Sequence, residues 1–101
     1  MGELTTWLSS QHSGLRTYKA FRNKTLELSA SDNEHRALYA LLAAMAGRYI
    51  ESFDEEPLPV ETADRAYEKL LKIVSEAEGS TSAPASQQIQ VLNRVASTEL
   101  F

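Results

Sequence analysis

An all-α fold, a small antiparallel bundle of three to four main helices at about 13–28, 31–53, 60–78 and 84–98 with a short N-terminal helix ahead of them, is what this sequence predicts. Three observations carry that reading. Apolar residues recur at three- and four-residue steps through four separate stretches, the pattern of helices that each bury one face. Breakers such as Gly14, Pro57 with Pro59, and Gly79 with Pro84 fall near the ends of those stretches. The two short alternating runs, Thr25 to Ser29 and Gln88 to Val91, fit helical spacing as well, and a lone strand would have nothing to pair with.

Leu4, Trp7 and Leu8 suggest a short amphipathic turn or helix before Gly14. From Ser13 to Leu28, the side chains of Leu15, Tyr18, Phe21, Thr25 and Leu28 share one side, with Arg16, Lys19, Lys24 and Glu27 on the other. The central helix is expected from Ser31, because Ser31 followed by Glu34 fits a capping box and Asp32 adds negative charge near the positive end of the helix dipole. Leu38, Leu41, Leu42, Met45, Tyr49 and Phe53 form its apolar stripe. The alanines and Gly47 on its second face suggest close approach of a neighbouring helix, which would make Gly47→Leu destabilising by overpacking.

Pro57 and Pro59 break the chain after this helix. The next begins around Pro59 to Thr62, buries Ala63, Ala66, Tyr67, Leu70, Ile73, Val74 and Ala77, and is expected to stop at Gly79. Residues 79–86 read as a flexible Ser/Thr-rich loop. A last helix follows, with Ala85, Ile89, Leu92, Val95 or Ala96, and Leu100 on its apolar side and Pro84 in its first turn.

The chain has 101 residues, of which 43% are hydrophobic and 24% charged, the size and composition of one globular domain. Cysteine is absent, which excludes disulfides, thiolate metal sites and a cysteine nucleophile. The first residues lack the basic and apolar regions of a secretory signal, so a cytoplasmic location is expected. The uncharged run from Ala37 to Gly47 is too short for a bilayer, so no membrane span is expected. Gly2 with Thr6 fits only weakly the acceptor pattern for N-terminal myristoylation.

The formal net charge is −4, unevenly spread. Residues 1–50 hold six Lys or Arg against four Asp or Glu, and residues 51–101 hold four against ten. That balance argues against bulk nucleic-acid binding, which draws its affinity from neutralised phosphates. Gln87, Gln88, Gln90, Asn93 and Arg94 on the last helix suit base edges, but a long loop and a single Arg speak against a helix-turn-helix module.

No catalytic residues, cofactor site or metal site are expected. Asp32 and His35 have a spacing that can present two ligands on one face, and His12 adds a remote third, yet the Glu-x-x-His pairs of a di-metal bundle are missing and capping explains His35 better. No nucleophile elbow, Gly-rich phosphate loop or carrier-type attachment serine occurs. The surface feature with functional content is acidic: Glu51, Asp54, Glu55 and Glu56 stand at or beyond the carboxyl end of the central helix, against its dipole, with Glu61 and Asp64 at the start of the next. These six residues are the candidate docking site for another protein with a basic surface. The function expected is that of a small non-enzymatic binding protein of regulatory, adaptor or inhibitor type. The alternative is a homo-oligomeric structural bundle, in which Trp7, Leu100 and Phe101 would be exposed and available to a homodimer partner.

Overall fold

The structure is a computed structural model and describes residues 2–53 and 57–100. The regular elements among them are all helical, in the order α1 (Glu3–Ser9), α2 (Leu15–Ser31), α3 (Arg36–Phe53), α4 (Val60–Gly79), a single 3-10 turn at Ser80–Ser82, and α5 (Ala85–Ser97). The expected all-α bundle is therefore what the chain forms.

α2 and α3 make the most extensive pairing and run antiparallel. Tyr18 near the start of α2 stacks on Tyr49 near the end of α3, with ring centroids 4.3 Å apart and planes tilted by 33°. Phe53 continues that aromatic row at 5.1 Å from Tyr49. Burial pushes the phenols of Tyr18 and Tyr49 up from the ordinary tyrosine value, so both stay neutral inside the core. At the other end Arg36 closes the hairpin, its Nε donating to the Ser29 carbonyl at 2.9 Å and its guanidinium reaching Asn33 Oδ1.

That hairpin corrects the expected boundary between the two helices. Ser31 caps nothing: it is the last residue of α2, and its hydroxyl turns back to the Leu28 carbonyl. α2 runs on through Thr25, which alternation made ambiguous; within the helix its hydroxyl folds onto the Phe21 and Arg22 carbonyls. The start signal for α3 is Asp32 instead, whose Oδ1 accepts the His35 amide at 3.2 Å. Asp32 thereby holds the amide of His35, the residue whose carbonyl accepts the first bond of α3 from Tyr39 at 3.2 Å.

α1 lies antiparallel on α4. Ser13, Leu8 and Thr5 meet Asp64, Tyr67 and Glu78 in that order. α5 returns antiparallel to α4, where Arg94 meets Glu76 at 2.8 Å, and parallel to α3, where Arg48 reaches the Thr98 carbonyl at 3.2 Å. One core joins all five helices, and its fully buried large side chains include Leu8, Tyr18, Phe21, Leu42, Met45, Tyr49, Leu70, Val74 and Val95. Each such side chain contributes about 1.5–3 kcal/mol by leaving water.

Three packing expectations change. A Cβ on Gly47 would meet only the Arg22 Cδ, at 3.9 Å, so no helix backbone crowds that position and the close-approach reading fails there. Ile89 is 57% exposed, because α5 turns Val91, Leu92 and Val95 inward in its place. Leu100 is 3% exposed and packs into the chain's own core, which removes it as an apolar residue held out for a second copy. Trp7 is half-buried against the same core, and Phe101 lies outside the described residues.

Candidate functional site

Of the six acidic residues singled out in the sequence, Asp54, Glu55 and Glu56 lie outside the described residues. Glu51 is exposed in the last turn of α3, while Glu61 and Asp64 are exposed one turn apart at the start of α4. Asp64 has a structural task there, since its Oδ1 accepts the Ser13 hydroxyl at 3.1 Å and ties the α1–α2 connection to α4. The hint of base reading on α5 loses its cation, because the Arg94 guanidinium is engaged by Glu76.

Among the described residues no group of three His, Asp or Glu side chains is arranged to hold a metal ion, and no helix is long and apolar enough to cross a membrane. Asp32 and His35 do come together, but on each other. His35 Nδ1 is 2.9 Å from Asp32 Oδ2, and its Nε2 is 3.2 Å from the Thr81 carbonyl. The Asp32 hydrogen bond is the main reason that the imidazole is raised above the usual histidine range and the carboxyl lowered below its own.

A more open concavity lies elsewhere: a groove of about 370 Å³ where α1, the later half of α2, the start of α3 and the end of α4 meet. Leu4, Trp7, Leu28 and Tyr39 give it apolar and aromatic surface, and Glu3, Lys24, Glu27 and Glu78 supply charge. Lys24 Nζ stands 4.9 Å from the centroid of the Trp7 ring, so this aromatic face already receives one cation. Burial first, then the charges of Asp32 and Glu78, push the Tyr39 phenol up and keep it a neutral hydroxyl.

What positions the groove is the anchoring of α1, a seven-residue helix too short to persist unaided. Its own N-cap, Gly2, offers no side chain. Glu78 at the end of α4 takes that role from across the fold, accepting the amides of Leu4 at 3.0 Å and Thr5 at 2.6 Å and also the Thr5 hydroxyl. A Cβ on Gly2 would overlap this carboxylate, so glycine is the residue that fits there. At the far end the Tyr67 hydroxyl donates to the carbonyls of Leu8 at 2.6 Å and Gln11 at 2.9 Å. Local pattern reading had no access to these contacts: residues 3–11 and 67–78 are joined by bonds spanning 56 to 74 positions of sequence. The one available signal was Trp7 itself, a large aromatic in a short helix with three carboxylates and a lysine to place around it.

Compared with family models, curated proteins and solved structures, the chain finds no match in any of the three.

Proposed function

We propose that this protein acts by binding another protein, as a small adaptor, regulatory or inhibitor-type bundle, and that it takes a basic, amphipathic segment of its partner into the groove beside Trp7. The observation that carries the reading is the juxtaposition of an aromatic and aliphatic floor with exposed carboxylates from two different helices, Glu3 on α1 and Glu27 on α2. Apolar side chains of a partner gain by leaving water on Trp7 and Leu28. A Lys or Arg at the edge of the same segment meets Glu3 and Glu27, and can share or take the Trp7 face that Lys24 now covers. The net charge of −4 steers such a segment inward at low salt. This moves the acidic docking surface from the α3–α4 connection to the α1–α2 groove, with Glu51 and Glu61 left as outlying charges that help encounter.

Trp7 is the single tryptophan of the chain, so its emission reports on the groove directly. Titration with a synthetic helical peptide built of Leu and Lys should shift that emission, and the counterpart with Glu in place of Lys should not. Glu27→Lys should weaken the response by about tenfold, the loss of one partly desolvated charge pair. An equal response to both peptides, or no response to either, overturns the reading.

A further inference from the structure

The position of His35 gives it a second task beyond starting α3. Both of its ring nitrogens face acceptors that have no proton to offer, the Asp32 carboxylate at 2.9 Å and the Thr81 carbonyl at 3.2 Å. A neutral imidazole carries one N–H and can serve only one of them; the doubly protonated ring serves both. Thr81 belongs to the 3-10 turn between α4 and α5, and its carbonyl is also approached by Gln88 Nε2 at 3.4 Å, while Ala83 takes the same amide at 2.9 Å.

That node is the polar fastening of the first half of α5, ahead of the partly buried Val91 and Leu92. Within the helix only Val95 is buried, near its end, whereas Ala85, Ser86, Gln87, Ile89 and Gln90 are exposed. Beneath His35 lies a cavity of about 40 Å³ between α3, the 3-10 turn and α5, bordered by Leu38, Ser80 and Leu92, which leaves the ring room to move. We propose that His35 is a pH-operated latch: protonated, it clamps the 3-10 turn and the first half of α5 to the α2–α3 turn, and on losing its proton it lets that half of α5 loosen.

The charged groups acting on the ring are Asp32 and Glu34 of its own turn, both of which favour the imidazolium. From the other side, the 3-10 turn and α5 present the Thr81 carbonyl and the Gln88 amide. Because folding raises the affinity of His35 for its proton, its contribution is complete below the ordinary histidine value of about 6.5 and disappears as pH rises through the higher folded value. Asp32 sets the lower edge: its carboxyl is held below the usual range, so its share is present above the ordinary aspartate value of about 3.9 and lost on further acidification. The latch is closed between those limits.

NMR titration of the whole chain from about pH 5 to 8.5 tests this. The His35 ring should titrate with a midpoint above ~6.5, and the amides of Thr81, Gln88 and Ile89 should move with that same midpoint. Asp32→Asn, which leaves the backbone cap an oxygen, should bring both midpoints down together. His35→Gln should abolish the shift in the α5 amides. Amides of residues 81–90 that stay still while His35 titrates, or that move alike in wild type and His35→Gln, overturn the latch.

Discussion

Glu78→Ala tests the long-range cap on α1, and its cost can be worked from the contacts. The carboxylate accepts two backbone amides at the start of α1 and the hydroxyl of Thr5, a residue only 5% exposed. Loss of a helix N-cap costs about 0.5–2 kcal/mol, and the upper end applies where one carboxylate satisfies two amides. The Thr5 hydroxyl, left buried without its acceptor, adds about 1 kcal/mol. The sum of about 3 kcal/mol is a large part of the 5–15 kcal/mol that holds a domain of this kind together. At about 4–8 °C per kcal/mol for this size, Tm should fall by roughly 15 °C. Because α1 carries Trp7, its emission should shift to the red below the main transition, as the helix leaves α4 before the rest unfolds. Gly2→Ala reaches the same contact from the other side by displacing the carboxylate, and should cost less because a flexible side chain can partly yield. Glu78→Ala melting within 2 °C of wild type, with unchanged Trp7 emission, would refute the cap.

Two further substitutions test the packing. Gly47→Ala should raise Tm by about 4–8 °C, because it gains about 1 kcal/mol of helix propensity against a single ordinary contact with Arg22; a lower Tm would restore the crowded face. Thr17 is 3% exposed, and its hydroxyl has no hydrogen-bond partner among the described residues. Thr17→Val keeps the shape and removes that unpaid desolvation, so thermal melting should show a gain of about 1 kcal/mol, and a loss would mean that the hydroxyl is bonded.

What the sequence made legible is whatever is encoded within one or two turns. The stripes of α3 and α4 are visible because Leu38, Leu42, Met45 and Tyr49, and Ala66, Leu70, Val74 and Ala77, keep helical spacing and all are buried. The α2–α3 boundary departs from the expected one because Ser31 and Asp32 are adjacent polar residues of similar capping tendency, and nothing local says that Thr25 and Ser31 will satisfy themselves against their own helix. α5 differs from expectation because Ile89 lies at one edge of an apolar arc that covers nearly half of the helix, and which edge is buried is decided by its neighbours. The groove was invisible for a different reason. Its residues come from four helices, and the contact that holds its wall, Glu78 to Thr5, joins residues 73 positions apart.

The same contact shifts attention from the exit of α3 to the exit of α4. Between Glu76 and Thr81 the chain reaches three other elements in six residues: Glu76 holds Arg94 of α5, Glu78 caps α1, and Thr81 receives His35 from the α2–α3 turn. Ser80 is buried among them, its hydroxyl on the Ala77 carbonyl. A short polar stretch ending in Gly79 looks like the place where α4 simply stops. It is instead where the bundle is tied, because a helix end carries unsatisfied carbonyls and side chains free to leave the helix axis, and both can be shared with neighbours. The Trp7 groove and the His35 latch therefore hang from one segment, three residues apart. Loosening the 3-10 turn removes an anchor next to the residue that holds the groove's wall, and that adjacency is the physical route by which the protonation of His35 can reach the groove around Trp7.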